Sequence, residues 1–341
     1  MSRIIVTAAG GSGGRFLTQA LQTAGHYVIG TDADPWSLPL SVAQERAILP
    51  RAGTGARFVE AMATLVLDAR ADLVMAQSDA EVTDLVLCAV TSDGLLPTFL
   101  PSLELVATAQ DKWLTYLAWR RAGVPCAESM CGPYDDEWPH SDIWVRRRKG
   151  AGGSGSLKCR AGQESDWMRI LHGSADEFVV SEYLPGTNVV VDLVCRDGEC
   201  YAWASRKVYA WQMAGCSPSG ITGASRVTVM HADTEARDVA MAAVRALGLP
   251  YAHGVFGVDL IQHGSQYWAT EVNAGRFNAP GPGFYLRAGL NLADIAARVG
   301  LGESPDTAWE ASPDVAYAML RGQDTEPVYL TRREWDALEC E

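Results

Sequence analysis

Two carboxylates and one amide lie in the stretch GVFGVDLIQHGSQYWATEVNAGRF at a spacing that suits a divalent cation. Two apolar runs flank a polar turn, which predicts an antiparallel hairpin. With a three-residue loop centred at Ser265, Asp259 lies opposite Glu271, and Asn273 shares the Glu271 face. Buried carboxylates that face each other repel unless a cation lies between them, and Mg2+ prefers carboxylate, amide and phosphate oxygens. The stretch therefore predicts a metal site at Asp259, Glu271 and Asn273; apolar and aromatic neighbours disfavour the alternative, a solvated sheet face carrying acids.

A second stretch, VRRRKGAGGSGSLK, places four consecutive basic residues before four glycines. It could be a nucleic-acid patch, a flexible linker, or a loop that folds over phosphates. The whole chain has 28 Lys and Arg against 41 Asp and Glu, a formal net charge of -13, which would repel nucleic acid. The linker and the phosphate loop stay open on the residues alone. If a strand runs through this stretch, Arg146 and Arg148 share one face and Arg147 lies on the other.

The length of 341 residues is enough for two or three domains, and the 48% hydrophobic content is typical of a globular chain. The start, MSRIIVTAAGG, predicts a strand rather than a signal peptide, and no stretch approaches the roughly 20 apolar residues needed to span a bilayer. We therefore expect a soluble, cytoplasmic protein that binds neither membrane nor nucleic acid.

The eight cysteines are scattered, and none forms a C-x-x-C pair. Cys195 and Cys200 flank the turn-forming Asp197-Gly198, so a hairpin could bring these two thiols together. Isolated reduced thiols are favoured over a zinc site, because thiol pairs in zinc ribbons are more closely spaced.

The first hundred residues alternate between apolar runs of strand length and amphipathic stretches, which predicts a doubly wound parallel sheet. The predicted strands are Ile4–Val6, His26–Gly30 and Leu73–Ala76, and the predicted helices are Phe16–Ala24, Gly55–Ala69 and one from Ser78 through Val90.

The glycines of TAAGGSGG and the acid Asp32 after the second strand are suggestive of a dinucleotide site. The glycines do not fall as G-x-G-x-x-G, however, and no G-x-x-x-x-G-K-[ST] is present. The simpler interpretation is that they close a strand-to-helix turn. Asp79 and Glu81 lie where a strand meets a helix, so they are candidates either for helix capping or for substrate contact.

From Thr108 onward, the order and spacing of four segments resemble the ATP-grasp superfamily, and within it the carbamoyl-phosphate-synthase-like carboxylate-amine ligases. The segments are QDKWLTYLAWRRAGVPCAES, the basic glycine-rich stretch, VVSEYLPGTNVVVDLV and the hairpin. The similarity covers about residues 1 to 300. It implies an α/β chain in which an N-terminal doubly wound parallel sheet precedes an α+β ATP-grasp fold of two subdomains. The implied limits are 1–105 for a Rossmann-like pre-ATP-grasp domain, 106–300 for the ATP-grasp domain with subdomains at 106–182 and 183–300, and 301–341 for a C-terminal extension.

The resemblance also implies nucleotide-binding residues. Lys112 would reach the α-phosphate of ATP, and Arg146 stands where the family has a phosphate-binding Lys or Arg. Carbamoyl-phosphate-type members have Arg-Pro at this point, whereas Arg147 replaces the proline here, so which arginine faces the phosphates stays open. The loop over the phosphates would contain Gly152, Gly153, Ser154 and Gly155.

Glu182, Tyr183 and Leu184 occupy the hinge with which family members hold adenine; the Glu182 carboxylate could accept from the adenine amino group or from backbone. Many relatives carry a ribose-binding Glu shortly after this hinge, where this chain has Asn188, which can still hydrogen-bond a hydroxyl.

Three further cations match the family's reacting centre. Arg206 and Lys207 are expected to end a strand from Tyr201 and to face the acyl-phosphate, and Arg276 is expected to touch the substrate carboxylate or the transferring phosphoryl group. The Gly- and Ser-rich segment 213–223 lies between these motifs and is expected near the acceptor site.

The implied function is an ATP-dependent ligase that forms an amide or peptide bond through an acyl-phosphate and releases ADP and phosphate. ATP and Mg2+, as two ions that Mn2+ could replace, are the expected cofactors. Small-molecule carboxylates and amines, amino acids among them, are the expected substrates, and a homodimer is a candidate assembly. Two alternatives are an NAD(P)-dependent oxidoreductase, which leaves the acidic hairpin without a purpose, and a non-catalytic ATP-binding regulator, which would not need the metal ligands.

Overall fold

The computed structural model of the chain describes residues 1–53, 56–91, 96–132, 142–150, 152–153, 155–248, 251–307, 314–323 and 325–339. The chain begins with strands β1 (Arg3–Val6), β2 (Tyr27–Asp32), β3 (Glu45–Ile48) and β4 (Leu73–Met75) and helices α1 (Ser12–Thr23), α2 (Ala56–Ala69) and α3 (Asp79–Thr91). The four strands form a parallel sheet in the order β3-β2-β1-β4.

Helices cover both faces of this first sheet. On β1, Ile5 packs in one core with Phe58 of α2 and Val82 of α3, whereas Ile4 packs in a second core with Leu17 of α1. The predicted doubly wound parallel sheet is therefore confirmed. The sequence did not indicate β3, because this edge strand is largely exposed and has no apolar run.

The next part of the chain forms a four-stranded antiparallel sheet in the order β5-β8-β6-β7. Its elements are α4 (Leu103–Ala109), α5 (Lys112–Ala122), β5 (Ser129–Cys131), β6 (Asp142–Arg147), β7 (Leu157–Arg160), α6 (Glu164–Ile170) and β8 (Phe178–Glu182). Asp111 caps the start of helix α5, because its carboxylate accepts from the backbone N–H of Trp113 and Leu114, and the helix ends at the left-handed Gly123.

The remaining chain builds a seven-stranded sheet in the order β13-β12-β9-β10-β11-β14-β15. Its elements are β9 (Thr187–Arg196), β10 (Glu199–Trp211), β11 (Ser225–His231), α7 (Thr234–Arg245), β12 (Gly254–His263), β13 (Gln266–Ala274), α8 (Gly281–Arg287), α9 (Leu292–Gly300), β14 (Ala318–Leu320), β15 (Val328–Leu330) and α10 (Arg332–Glu339). The last two strands add the C-terminal residues to this sheet. Glu334 and Thr331 exchange the hydrogen bonds of a capping box at the start of α10.

The sequence predicted that strand β10 ends at Arg206 and Lys207, and this prediction was wrong. The strand continues to Trp211, because β9 pairs with it as far as Val208 and β11 pairs with it through Trp211. The basic pair therefore lies in the middle of a strand, where consecutive side chains point to opposite faces.

The β12-β13 hairpin pairs Asp259 with Glu271, as predicted, but its turn length and its register differ from the prediction. The turn has two residues rather than three, since His263 pairs with Gln266. A β-bulge at Thr270 then shifts the register by one residue, and this restores the pairing that a three-residue loop would give.

No helix in the described part of the chain is long and apolar enough to cross a membrane. The β9-β10 hairpin does place Cys195 opposite Cys200. All seven cysteines within the described ranges are free, and those ranges contain no group of three or more His, Cys, Asp or Glu residues placed to hold a metal.

Candidate active site

A cavity of about 600 Å³ lies where the three sheets meet. Its walls come from all three: Gln77 and Asp79 follow β4, Arg146 lies on β6, and Asp259 and Glu271 lie on the β12-β13 hairpin. Most of the residues selected from the sequence line this cavity, namely Lys112, Arg146, Gly152, Gly153, Glu182, Tyr183, Leu184, Asn188, Arg206, Asp259, Glu271, Asn273 and Arg276.

One wall of the cavity is acidic. Asp259 and Glu271 face each other across the hairpin, and Asn273 Nδ2 donates to Asp259 Oδ2 at 3.0 Å. Burial and the neighbouring Glu271 charge raise the pKa of Asp259 to about 7. The three predicted oxygen-bearing side chains are therefore brought together, and the Asp259 carboxyl among them is harder to ionise than an exposed aspartate.

Asn278 also belongs to this wall, although the sequence reasoning missed it. Its Nδ2 donates to Asp259 Oδ2 at 3.3 Å, and its backbone N–H donates to Asp192 Oδ1 at 3.1 Å. The only sequence signal was a polar residue two positions after Arg276, which does not by itself distinguish a site residue from a loop residue.

Two cations stand beside the acidic wall. Lys112 Nζ lies 3.2 Å from Glu271 Oε1 and donates to the Gly150 carbonyl at 2.7 Å. Arg146 donates from Nη1 to the carbonyl of Thr270, the residue at the β-bulge, at 2.9 Å. Burial lowers the pKa of Arg146 from its ordinary value, while the Glu271 and Asp259 charges act in the opposite direction. Its Nε is buried and has no hydrogen-bond partner among the described residues.

The other two arginines of the basic run have other partners, although Arg147 also lines the cavity. Arg147 lies on the face of β6 that packs on the small sheet's core, where it stacks over Phe178 and donates to the Leu171 carbonyl at 2.8 Å. Arg148 follows the strand and forms an ion pair with Asp111, the N-cap of α5, at 2.7 Å. The strand alternation thus correctly separates Arg146 from Arg147, and Arg146 is the arginine beside the acidic wall.

The glycine-rich loop closes another side of the cavity. Gly152 and Gly153 line it with φ of 69° and 70°, a conformation that side-chain-bearing residues rarely adopt. A Cβ on Gly153 would lie 2.8 Å from the carbonyl oxygen of Ile221, so this loop contacts the segment 213–223 expected near the acceptor. Gly155 instead packs against Arg147, outside the cavity, and Ser154 lies outside the described residues.

The hinge residues line the cavity at the end of β8. Glu182 Oε1 accepts from the backbone N–H of Glu128 at 2.9 Å, which is one of the two partners expected for this carboxylate. Lys158 Nζ lies 3.7 Å from the centre of the Tyr183 ring. Leu184 provides an apolar surface, and Asn188 follows at the start of β9.

Arg206 lines the cavity, but its guanidinium is buried and paired. It is only 1% exposed, and Nη1 contacts Asp192 Oδ2 at 2.5 Å and the Tyr285 hydroxyl at 2.6 Å. Although burial disfavours its charge, Tyr285 and Asp192 together raise the pKa of Arg206. Its charge is therefore neutralised within a buried network at the cavity wall.

Lys207 does not line the cavity, contrary to the prediction. It lies on the other face of β10 from Arg206, and after burial its charge is the main cause of the lowered pKa of His231. The prediction was wrong because the strand continues through both residues, and neighbours in a strand cannot share a face.

Arg276 connects two parts of the molecule at the cavity. Its Nε lies 2.5 Å from Asp79 Oδ1, and its Nη2 donates to Asn273 Oδ1 in the acidic wall. Asp79 is the first residue of α3, so the N-terminal unit contributes a charged side chain to the site. Of the two interpretations of Asp79, its position in the cavity wall agrees with substrate contact.

Glu81, in contrast, has a structural role. It is buried, accepts from the hydroxyls of Thr7 and Ser78 at 2.7 Å each, and does not line the cavity. Burial is the largest cause of its raised pKa.

We therefore expect Glu81 to make folding less favourable as pH rises. An acid with a raised folded-state pKa binds more protons in the folded state, so the stability that it contributes falls from the unfolded pKa of 4.5 upward. Urea unfolding of the wild type and Glu81→Gln between pH 4.5 and 8 should show the variant gaining stability relative to the wild type with rising pH. A difference that is constant across this range would contradict the assignment.

The glycines near Asp32 close a turn, as the simpler interpretation predicted. Asp32 accepts from the backbone N–H of Gly10 and Asp34, at 3.1 and 3.0 Å. A Cβ on Gly10 would lie 2.0 Å from the Ser37 carbonyl oxygen, so the turn itself requires glycine.

A parallel α/β unit followed by two antiparallel sheets that enclose a cavity between cations and acids defines the ATP-grasp class of fold. The chain belongs to the ATP-grasp family: the model of the ATP-grasp domain matches residues 109–280. This confirms the resemblance found in the sequence, both for the fold and for an ATP-grasp enzyme. No match was found among curated proteins.

Several solved structures share the fold at low sequence identity. The L-amino acid ligase from Bacillus licheniformis is 14% identical with a TM-score of 0.66, over 88% of this chain and 74% of that one. The N5-carboxyaminoimidazole synthetase from Staphylococcus aureus, complexed with ADP, is 14% identical with a TM-score of 0.68, over 94% and 82%. The biotin carboxylase from Campylobacter jejuni, complexed with β,γ-ATP, is 15% identical with a TM-score of 0.63, over 94% and 76%.

Proposed function

We propose that the protein is an ATP-dependent carboxylate-amine ligase that forms an amide or peptide bond and releases ADP and phosphate. The observation that carries the proposal is that one cavity holds both the cations Lys112 and Arg146 and the acidic wall of Asp259, Glu271 and Asn273. The ADP and β,γ-ATP in two structures of the same fold support the use of ATP, and the ligases among these structures support the ligation.

The acidic wall fits Mg2+ by its chemistry. Asp259, Glu271 and Asn273 offer carboxylate and amide oxygens, which Mg2+ prefers together with phosphate oxygens. Burial and then the Glu271 charge raise the pKa of Asp259, and this supports a cation site because a bound cation would favour the ionised carboxylate. Bound Mg2+, one ion or two, would neutralise charge on the phosphates of ATP.

Other residues of the cavity would bind the phosphates, the adenine and the ribose of ATP. Lys112 and the guanidinium of Arg146 would bind phosphate oxygens, and Gly152 and Gly153 would let backbone N–H groups approach them. The hinge at Glu182 to Leu184 would hold adenine by backbone groups and by apolar contact, and Asn188 would reach a ribose hydroxyl. In this scheme the protein does little covalent chemistry; it positions the reactants and neutralises charge.

In the reaction, an oxygen of the substrate carboxylate attacks the γ-phosphorus of ATP, and the bond to the β-γ bridging oxygen breaks to release ADP. The acyl-phosphate is then attacked at its carbonyl carbon by the amine, which loses a proton as phosphate leaves. No activated Cys or Ser was recognised in the sequence, which favours a free acyl-phosphate over a covalent enzyme intermediate.

We expect hydroxylamine to intercept the acyl-phosphate as a hydroxamate when the correct acid, ATP and Mg2+ are present. Oxygen-18 placed in the carboxylate should appear in the released phosphate. ADP release would be screened over pairs of amino acids and other carboxylic acids and amines. If AMP and pyrophosphate form instead, the acid is adenylated and the proposed arrangement around the γ-phosphate is wrong. If ATP binds but no acid promotes turnover, a non-catalytic ATP-binding regulator becomes the better interpretation.

A further inference from the structure

The wall of the cavity that belongs to the N-terminal unit carries an ion pair. Arg276 Nε and Nη2 lie 2.5 and 3.3 Å from the two carboxylate oxygens of Asp79. Both residues line the cavity, and the Asp79 side chain is 34% exposed whereas that of Arg276 is 15% exposed. The carboxylate is thus the more open partner, and its oxygens can accept further hydrogen bonds.

A second acceptor lies in the same wall. Gln77 Nε2 donates to the Ala76 carbonyl at 2.8 Å, which leaves Oε1 as the other end of the amide. This oxygen lies 3.0 Å from the position that a Cβ on Gly13 would occupy, and both Gly13 and Gln77 line the cavity. The N-terminal unit therefore presents two oxygen acceptors, one of them charged.

Arg276 places a cation between Asp79 and the acidic wall. Its Nη2 donates to Asn273 Oδ1, so a carboxylate bound to Arg276 would lie beside the proposed site of phosphoryl transfer. A ligand with only a carboxylate would also face the Asp79 charge, and a ligand with only an ammonium would face Arg276. A ligand that carries both charges is complementary to both partners.

We propose that the acid activated by this enzyme is an α-amino acid, bound as a zwitterion with its carboxylate on Arg276 and its ammonium on Asp79 and Gln77. The inference rests on the proposed ligase function and specifies its acid substrate. Asp79 is the specificity-determining residue, because its carboxylate binds the amino group that distinguishes an amino acid from a simple carboxylic acid.

The test compares each common L-amino acid with the carboxylic acid that has the same side chain and no amino group. ADP release with ATP and Mg2+ would give kcat/KM for both members of each pair. We expect the wild type to prefer the amino acid by on the order of 10²-fold, as for one charged hydrogen-bonded contact, and Asp79→Asn to lose at least tenfold of this preference. Asp79→Glu should restore part of it.

The control is Glu60→Gln, which makes the same change of charge at an exposed position of α2 and should leave the preference unchanged. The ratio within a pair is the decisive readout, since a merely structural effect of Asp79→Asn would lower both rates together. Equal rates for both members in the wild type, or an intact preference in Asp79→Asn, would overturn the inference.

Calorimetric binding of the same pairs, with a non-hydrolysable ATP analogue and Mg2+, separates this inference from the proposed function. If no acid promotes ADP release, the ligase proposal fails, yet tighter binding of amino acids that depends on Asp79 would still support the zwitterion site. If acids are activated but binding does not distinguish the members of a pair, the ligase proposal stands and the zwitterion site is rejected.

Discussion

Glu271→Gln is expected to lower kcat/KM by on the order of 10³-fold or more, the largest effect of any single substitution in the site. A cation that neutralises phosphate charge contributes several kcal/mol to transition-state stabilisation, and each 1.36 kcal/mol is tenfold in rate. Glutamine keeps the size of the side chain but loses the charge that faces Asp259 and Lys112. Steady-state ADP release at ordinary Mg2+ concentration measures the effect.

The Glu271 variant should remain folded and still bind adenine nucleotide weakly, because the hinge from Glu182 to Leu184 is a separate part of the cavity. Glu199→Gln, an exposed position on β10, provides a control with the same change of charge. Thermal unfolding and binding of a fluorescent ADP analogue distinguish lost catalysis from lost structure. Full activity of Glu271→Gln would rule out the metal assignment.

Arg146→Ala is expected to lower kcat/KM by about 10²-fold or more, the cost of one charged phosphate contact. Arg146 lines the cavity beside the acidic wall, whereas Arg147 uses its guanidinium against Phe178 and the Leu171 carbonyl. Arg147→Ala should therefore change kcat/KM far less and act mainly on stability. Single-turnover rates and urea unfolding of both variants separate the two effects.

The two arginines are a matched pair, since they are adjacent in sequence and lie on opposite faces of one strand. Small and equal losses in both variants would indicate that the basic run contacts no phosphate. A larger loss for Arg147 would mean that the loop rearranges when nucleotide binds, and the strand alternation would then not determine which arginine acts.

The parts of the fold that the sequence predicted well are those in which local patterns agree with the final packing. The strands and helices around β1 have apolar periodicity and capping residues, and the face of Arg146 follows from alternation alone. The position of Arg276 beside Asp79 could not be predicted, because these residues are 197 positions apart and meet only when the separate sheets pack together. The domain limits near residues 105 and 300 stay predictions.

Arg206 and Lys207 show why other parts of the fold could not be predicted from the sequence. A basic pair at a strand end and a basic pair within a strand have the same local sequence, and only the partners β9 and β11 decide between them. The buried network of Arg206 likewise depends on Asp192 and Tyr285, which come from other elements. In the hairpin, the predicted pairing was correct although the predicted turn was wrong, because the bulge offsets the shorter turn.

The bulge at Thr270 holds Arg146 through a carbonyl oxygen, and the Thr270 hydroxyl in turn donates to the Asp259 carbonyl at 2.9 Å. A main-chain oxygen is present whichever amino acid occupies the position, so this hydrogen bond to Arg146 does not depend on the residue type at position 270. Alanine scanning would pass over it, and chains that differ at position 270 could retain it. Replacing the amide bond after Thr270 by an ester, which weakens the carbonyl as an acceptor, or deleting the residue, would reveal a contribution that side-chain substitution cannot report.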